Sequence, residues 1–237
     1  MRVIFQNEIK KATITALAPN ANYPASNLSH VFLKLKYKGL GFSDTITATL
    51  PDNVSASGFM YSYSNAKSMT VRVYSNASEL LETLTVDCSY SSGSAFFTRH
   101  DNVRWIEIDA AAPVSEDLYI GGICLGIAKI FPEPINTFDT QLVDNTEPTT
   151  SADFQTSSAY IKPGKTFVLS FRDLDRDEVY HPIVEDFEGV GRGQIWVDIT
   201  EENHDVWQPL YCTTNLIEDP SRDSYKCAFT LKLTEAR

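Results

Sequence analysis

The chain has 237 residues, with 20 Lys and Arg against 31 Asp and Glu, and its formal net charge is −11. A hydrophobic fraction of 43% beside 22% charged residues is typical of a folded protein and excludes a disordered chain. The acidic surplus excludes nucleic acid as a partner class, because phosphate neutralisation requires clustered Lys and Arg.

Short runs of β-branched and aromatic residues, separated by turn residues, fill the first half of the chain. The stretch Asp44–Leu50 is the clearest, since Ile46, Ala48 and Leu50 alternate with threonines as in a half-buried strand. The predicted strands are Arg2–Gln6, Ala12–Leu17, Asp44–Leu50, Gly58–Tyr63, Met69–Tyr74, Leu80–Val86, Val103–Ile108 and Leu118–Leu125. Such a series without a convincing helix predicts a β-sandwich or jelly roll.

A change of composition near residue 130 predicts a domain boundary. The segment Phe131–Pro134 contains two prolines, and mostly polar residues follow it. Proline fixes φ and lacks an N–H donor, so we expect this segment to leave the sandwich as a connector. Weak strands are predicted around Thr137–Val143 and Ala152–Thr156. The predicted domains are residues 1–130 and 131–237, each large enough to bury a core.

The second domain is predicted to be α+β, with one helix against a largely antiparallel sheet. Its predicted strands are Lys165–Arg172, Gln194–Thr200, Val206–Thr213 and Tyr225–Leu233. On the first of them, Phe167, Leu169 and Phe171 alternate onto one face.

The helix is predicted over Arg176–Glu188, where Val179, Ile183 and Phe187 recur at i, i+4 and i+8. We expect this apolar face to pack on the sheet. Asp175 fits the N-cap position, and Glu178 completes a capping box. Pro182 conflicts with the assignment, because proline inside a helix removes a backbone hydrogen bond and should kink or shorten it.

Carboxylates cluster around the predicted helix without a pattern that predicts catalysis. The alternating run Asp173, Asp175, Asp177 is similar in spacing to a calcium loop, but Glu178 replaces the required glycine and Val184 stands at the twelfth position. Acidic residues are favoured at a helix N-terminus, which explains this run better than a metal site. The later acids are Glu185, Asp186 and Glu188, which are interpreted as solvated helix charge.

Other residue types that often take part in catalysis or ligand binding also form no recognisable site. The histidines are His30, His100, His181 and His204, and none forms a metal-binding or catalytic motif. The run Gly189–Gly193 lacks the preceding strand of a nucleotide loop and is interpreted as a helix terminator. The sequence therefore predicts a protein that is not an enzyme, with no catalytic, cofactor-binding or metal-binding residues.

Aromatic residues are dense, with 13 Phe, 11 Tyr and 3 Trp. Loop tyrosines of jelly-roll lectins stack on sugar rings, so Tyr23, Tyr61, Tyr63 and Tyr90 form a candidate sugar platform. The alternative, favoured for any single one of them, is a place in the sandwich core or in a subunit interface.

The four cysteines, Cys88, Cys124, Cys212 and Cys227, lack the spacing of a zinc ribbon or a redox motif. Cys212 and Cys227 flank a turn-rich loop and can face each other across a hairpin. The favoured alternative is that the cysteines are small buried hydrophobes.

No segment predicts membrane insertion or export. The longest uncharged apolar stretch, Leu118–Ala128, is shorter than the ~20 residues that span a bilayer. The opening residues lack the apolar core of a secretory signal. We therefore expect folding in a reducing cytoplasm.

Three stretches, in this order, resemble phage and prophage tail proteins. The first contains Tyr23–Leu28 (YPASNL). The second begins at Asp44 and ends with Tyr119–Gly126 (YIGGICLG). Both resemble the galactose-binding-like sandwich at the front of many such proteins. The third, from Ser151 to Ala236, resembles their C-terminal distal-tail or minor-tail domain. Leu33–Lys38 (LKLKYK) departs from the family, which usually carries a Trp-rich or Arg-rich segment there.

The resemblance implies a structural component of a tailed-phage virion, in the distal tail or tail tip. It also implies assembly in the host cytoplasm into a homo-oligomeric ring with other tail proteins, such as the tail tube, tip or hub. Asp139–Ser158 and Asn215–Ser224 are expected to form subunit contacts. The alternative is a carbohydrate-binding module of a host-recognition apparatus, with a cell-surface glycan as partner, since fold does not imply function.

Overall fold

A computed structural model of the chain describes residues 1–29, 35–131, 139–143, 147–150, 156–159, 164–190, 194–198, 210–219 and 226–235. Within them, the strands are β1 (Arg2–Ile4), β2 (Thr13–Ala16), β3 (Tyr37–Lys38), β4 (Ser43–Ser64), β5 (Ser68–Ser75), β6 (Leu80–Val86), β7 (Gly93–Ala111), β8 (Tyr119–Gly126), β9 (Ala128–Ile130), β10 (Asp139–Val143), β11 (Glu147–Thr150), β12 (Thr156–Ala159), β13 (Gly164–Asp175), β14 (Gln194–Asp198), β15 (Leu210–Asp219) and β16 (Lys226–Glu235). Short 3-10 turns lie at Glu8–Lys11 and Ala25–Ser29, a π-helical turn at Arg176–Tyr180, and helix α1 at His181–Val190.

The contacts divide the chain into two units. The first contains residues 1–131 and 194–211, and the second contains residues 132–193 and 212–237. The fold is mainly β with antiparallel pairing, which confirms the predicted fold class. Whether the chain can be cut near residue 131 into stable pieces stays a prediction.

The first unit is a sandwich built on two long strands that contribute to both layers. The first part of β4 pairs with β2 and with the end of β7, whereas its last part pairs with β8 and with the start of β7. The register shifts between these parts, between Thr49 and Gly58. Such bulges bend a strand and increase its twist, so one hydrogen-bonded sheet supplies both layers. Strands β5 and β6 extend the first layer and β3 extends the second.

The core of this unit lies between the two layers. Ile46, Ile106 and Val71 of the first layer pack in one cluster with Phe59 and Leu125 of the second. Ile46, Ile106 and Val71 alternate with exposed or half-buried neighbours, as the period of two in a strand requires. On the second layer, Met60 and Cys124, next to Phe59 and Leu125, are buried as well. Because β4 runs from Ser43 to Ser64, the predicted strands Asp44–Leu50 and Gly58–Tyr63 are two parts of one strand.

Two glycines make room for β1 on the second layer. Gly58 of β4 and Gly126 of β8 lie opposite each other in register. A Cβ on Gly126 would lie 2.4 Å from the carbonyl oxygen of Gln6 and 2.8 Å from Cγ2 of Ile4. Because glycine lacks this atom, β1 approaches the layer closely, while it pairs antiparallel with β9 and β14.

The second unit contains an antiparallel sheet in the order β10-β13-β16-β15, a separate β11–β12 pair and helix α1. Tyr180, Ile183, Val184 and Phe187 are buried along one side of the helical segment. That these side chains pack on the sheet stays a prediction.

The conflict over Pro182 is resolved by how the helix begins. The backbone N–H of His181 donates to the carbonyl of Arg176, five residues earlier, so a wider π-helical turn precedes α1. Pro182 is the second residue of α1, directly after this wider turn, where the regular hydrogen-bond ladder of an α-helix is already interrupted.

Two strands of the second half extend past their predicted ends. The second connector strand was expected around Ala152–Thr156, and β12 continues to Ala159, while the strand expected over Val206–Thr213 corresponds to β15, which reaches Asp219. Residues 151–155 and 206–209 lie outside the described residues. Propensity is weak in these polar segments, so pairing with a neighbouring strand decides where each strand lies. No helix among the described residues is long and apolar enough to span a membrane.

Candidate functional site

The outer side of the first layer is a polar surface, which we call the threonine face. Its members are Thr13, Thr15, Thr45, Thr47, Thr49, Thr70, Arg72, Tyr74, Thr83, Thr85, Trp105, Glu107 and Asp109, none of which is buried. They alternate with buried aliphatic residues along five strands, so the pattern that builds the core also aligns these side chains outside.

Register places these side chains in three rows across the strands. Thr45, Asp109, Thr70 and Thr85 lie opposite one another on β4, β7, β5 and β6. The next row is Thr47, Glu107, Arg72 and Thr83, and the third is Thr49, Trp105 and Tyr74. Neighbouring strands lie about 4.8 Å apart, so side chains within a row are close enough to contact one ligand together.

Arg72 binds two carboxylates at the centre of the face. Its Nη2 lies 2.7 Å from Oδ2 of Asp109, and its Nη1 pairs with Oε1 of Glu107. The hydrogen bond that Arg72 donates to Asp109 raises the pKa of Arg72 above its ordinary value. Thr45 Oγ1 also donates to Oδ1 of Asp109 at 2.7 Å. These contacts fix the carboxylate of Asp109 while it stays 39% exposed.

Two aromatic rings end the face on the side of the third row. The rings of Tyr74 and Trp105 are stacked with centroids 3.8 Å apart and planes 6° apart. Both residues are half-buried, so each ring supports the other. The pair presents an apolar surface beside the polar rows.

A groove crosses the strand ends at the edge of the first row. It consists of two adjoining hollows of about 400 and 500 Å³, which share Ser68 and Thr70 of β5. The first hollow reaches Asp109 and Thr45, and the second reaches Asp87. Together they have the size of an ordinary small-ligand pocket, but they are open and elongated.

Buried groups beneath the surface hold both ends of the groove. The carboxylate of Asp44 accepts the backbone N–H groups of Leu17 and Ala18 at 3.2 Å, and it also accepts the hydroxyl of Tyr37. Burial, and then the bond to Asp44, raises the pKa of Tyr37 well above its ordinary value. Asp44 thereby fixes the loop after β2, where Leu17 forms one wall of the groove.

Tyr61 holds the other end, and its prediction as part of a sugar platform is wrong. Its side chain is fully buried, and its hydroxyl donates to the carbonyls of Asp87 at 3.0 Å and Tyr90 at 3.2 Å. Alternation along β4 points it into the core, as it does Phe59. Tyr61 therefore supports the loop of the second hollow from beneath.

The remaining platform tyrosines lie at the surface. Tyr23, Tyr63 and Tyr90 are 36%, 45% and 40% exposed. Tyr63 lies beside Tyr119, with ring centroids 6.0 Å apart, whereas Tyr23 contacts Lys38. The structure brings none of them to the threonine face.

The acidic run forms a helix cap. Oδ1 of Asp175 accepts the backbone N–H groups of Asp177 and Glu178 at 3.0 Å, which agrees with the capping interpretation. No group of three metal-ligating side chains lies together in the part of the chain that the structure describes. The side chains of Asp173 and Glu188, and all of Gly191–Gly193, lie outside the described residues.

The two histidines that the structure describes each contact a different residue. His100 lies 3.7 Å from Glu82, and Arg176 donates to His181 at 3.3 Å. His30 and His204 lie outside the described residues.

The hairpin that contains Cys212 and Cys227 exists, but its register is not the one that would bring them together. Cys212 lies opposite Glu235, whereas the opposite end of the hairpin pairs Asp219 with Ala228. At about 3.4 Å per residue the two cysteines are far beyond disulfide distance. The structure therefore excludes the less favoured possibility that they face each other. Cys88 and Cys124 are buried, as the alternative predicted.

Sequence reasoning missed the threonine face and its groove. The alternation of Thr with Ile or Val was used to assign strands, while the outward residues were left without a role. The groups of one row come from four separate segments, and only register brings them together.

No protein-family model matches the chain, and no curated protein matches it by sequence. Solved structures similar to it include a chitosan-binding module of a chitosanase/glucanase from Paenibacillus sp. IK-5, with 13% identity over 51% of this chain and 98% of that chain, and a TM-score of 0.44. A fucose-binding module of Streptococcus pneumoniae has 12% identity over 51% of this chain and 94% of that chain, with a TM-score of 0.44. The lectin domain of lectinolysin, solved with Lewis b antigen, has 10% identity over 51% of this chain and 95% of that chain, with a TM-score of 0.43. At such identities and TM-scores, these likenesses do not identify what this chain binds.

Proposed function

We propose that the first unit is a non-catalytic carbohydrate-binding module and that it binds a neutral glycan in the groove of the threonine face. The observation that carries the proposal is the row Thr45, Asp109, Thr70 and Thr85, whose hydroxyl and carboxylate groups lie side by side along the groove floor. Sugars present a dense array of hydroxyls, so a row of fixed donors and acceptors is a complementary surface.

The length of the groove favours an oligosaccharide over a single sugar. The two hollows join at Ser68 and Thr70 and extend from the loop after β2 to the loop after β6. Consecutive sugar units can therefore each meet polar groups of a different strand. The Tyr74–Trp105 pair lies in the third row, two rows from the groove, where its rings form an apolar contact surface for an extended oligosaccharide.

The charge of the groove favours a neutral ligand. Asp44 and Asp109 line the first hollow, and Asp87 lines the second together with Lys67, so acidic groups outnumber the one basic group in the lining. Two hydrogen bonds from Ser89 lower the pKa of Asp87. The carboxylate of Asp87 is therefore ionised at neutral pH. The carboxylate oxygens in both hollows are acceptors for sugar hydroxyls, whereas their charge disfavours an anionic ligand. The net charge of −11 acts in the same direction.

Assembly into a phage tail stays a prediction from the sequence resemblance. It is compatible with glycan binding, since a tail-tip protein can carry a sugar-binding unit. Deletion of Asn145–Thr150 in the virus should leave the first unit folded but impair tail completion. If a virus with this deletion makes normal tails and remains infectious, the segment has no role in tail assembly.

Binding is tested first on a glycan array and then by calorimetry with the best neutral oligosaccharide. Asp109→Asn keeps the shape of the side chain but removes the charge, and hydrogen bonds to charged groups contribute about 1.5–3 kcal/mol. We therefore expect Kd to rise at least tenfold. Thr70→Val removes one hydroxyl at nearly constant volume and should raise Kd by roughly three- to tenfold.

Matched controls separate the groove from the rest of the unit. Asp52→Asn makes the same charge change at an exposed position, and Thr13→Val removes a hydroxyl from the edge of the threonine face outside the groove. Neither should change Kd. An array without saturable binding, or equal losses in the groove variants and the controls, would contradict the proposal.

A further inference from the structure

A second surface of the first unit combines aromatic rings with ammonium groups. We call it the tyrosine–lysine patch and define it by Tyr23, Lys36, Lys38, Tyr63 and Tyr119. Lys38 lies opposite Tyr119 in the β3–β8 pair, and Tyr63 lies near the end of β4. These strands form the second layer, whereas the threonine face belongs to the first.

Each ring of the patch has an ammonium group above it. Nζ of Lys36 lies 4.3 Å from the centroid of Tyr119 and 5.8 Å from that of Tyr63. Nζ of Lys38 lies 4.6 Å from the centroid of Tyr23. Cation–π attraction at these distances holds the lysine side chains in place, so their ammonium groups are prepositioned for an anion.

The backbone presents the ring of Tyr63 to solvent. Alternation along β4 would turn it toward the core with Phe59 and Tyr61, but Tyr63 has φ of 57°, in the left-handed region. The chain turns there, and the side chain is 45% exposed. Gly121 makes room for the turn, since a Cβ on it would lie 2.8 Å from Cβ of Tyr63. A non-glycine residue in this conformation costs about 1–2 kcal/mol, and such strain is concentrated at functional sites.

Asn65 fixes the neighbouring segment. Its Oδ1 accepts the backbone N–H of Tyr119 at 2.9 Å, and its Nδ2 donates to the carbonyl of Asp117 at 3.0 Å and to Oε2 of Glu116 at 3.1 Å. Glu116 therefore has a partner of its own and leaves the two lysines available. Burial, followed by the nearby Tyr63 and Glu116, raises the pKa of Tyr119, so its hydroxyl stays a donor at neutral pH.

We propose that the tyrosine–lysine patch binds an acidic saccharide, with a sugar carboxylate at Lys36 and the apolar face of the sugar ring on Tyr63. A uronic acid joins a sugar ring that has an apolar C–H face to a carboxylate, and the patch places the half-exposed ring of Tyr63 beside the ammonium group of Lys36. An acidic peptide would use the lysines but leave the ring of Tyr63 without a partner. This site is independent of the groove, which we assign to a neutral glycan.

The test compares two tetrasaccharides of the same linkage, an oligomannuronate and its neutral mannose counterpart, by calorimetry at low and physiological ionic strength. We expect the oligomannuronate to bind saturably, with an affinity that falls as salt rises, and at least tenfold more tightly than the neutral chain. Lys36→Gln should weaken this binding about tenfold. Lys11→Gln makes the same charge change at an exposed position on a 3-10 turn and should have no effect.

Two further variants identify the surface. Tyr63→Gly removes the ring at a position whose backbone glycine adopts freely, so this variant should fold and lose the binding. Asp52→Asn, at an exposed position of β4 outside both the patch and the groove, should leave it unchanged. The inference is overturned if Lys36→Gln weakens the neutral chain as much as the oligomannuronate, if Lys36→Gln behaves like Lys11→Gln, or if oligoglutamate of equal charge binds as tightly.

Discussion

Replacement of Tyr63 by glycine and by alanine should reverse the usual order of stability of these two residues in a strand. In an ordinary strand, glycine is destabilising relative to alanine by roughly 0.5–1 kcal/mol, because it loses more backbone entropy on folding. Tyr63 has φ of 57°, where any residue with a Cβ is strained by about 1–2 kcal/mol. Since both variants lose the same ring, the difference between them reports the backbone alone. We expect Tyr63→Gly to be more stable than Tyr63→Ala by about 1 kcal/mol.

The free energy of unfolding is measured by urea titration with tryptophan fluorescence, because Trp105 and Trp196 both belong to the first unit. A difference of 1 kcal/mol corresponds to roughly 2–4 °C in Tm for a chain of this size. Thr83 provides the matched control, since it is exposed on β6 and is not among the residues with positive φ. At Thr83, alanine should be the more stable residue. The reasoning is refuted if alanine is also the more stable residue at position 63.

Gly126→Ala should destabilise the first unit by about 3 kcal/mol, because the new Cβ would lie 2.4 Å from a backbone oxygen that cannot move alone. Gly41→Ala, which has no atom within 4 Å of the added carbon, should leave Tm nearly unchanged in the same thermal melt. Phe187→Ala should lower the free energy of unfolding by about 3–5 kcal/mol, because removal of its buried ring would leave a cavity. Glu185→Ala, at an exposed position of the same helix, should leave the free energy of unfolding nearly unchanged in the same melt. Hydrogen bonds from Ser55 and Arg99 lower the pKa of Asp101 in the folded protein. The ionised carboxylate therefore stabilises the folded protein at pH values above the pKa that Asp101 has in the unfolded chain. This stabilisation is lost as the pH falls through the lower pKa of the folded protein. Ser55→Ala should raise the Asp101 pKa in an NMR titration, and an unchanged pKa would show that the hydroxyl contributes nothing.

Local patterns in the sequence were sufficient for the fold class and for the buried face of each strand. The alternation in Asp44–Leu50 predicted that Ile46 and Ala48 face the core, and both are fully buried. The i, i+4 spacing of Ile183 and Phe187 predicted the buried side of the helix, which the structure confirms for both residues. These predictions depend only on the periods of strand and helix, which any short segment already contains.

Where the pattern is broken, local reasoning fails. Tyr61 and Tyr63 look equivalent in the sequence, two aromatic residues two apart in one strand. Tyr61 is buried and supports the groove, whereas Tyr63 is turned out by its left-handed backbone. That conformation depends on the space left by Gly121, which lies on another strand and is distant in the sequence.

Strand register and strand pairing were decided only by the tertiary structure. The sequence by itself determined the mainly β character, the outward position of the threonines and the N-cap at Asp175. It did not determine that Thr45, Asp109, Thr70 and Thr85 form one row, or that Cys212 and Cys227 lie far apart. Side-chain alternation repeats every two residues, so many registers satisfy the same pattern equally well. Packing of the two layers, together with the bulges in β4 and β7, selects one of them.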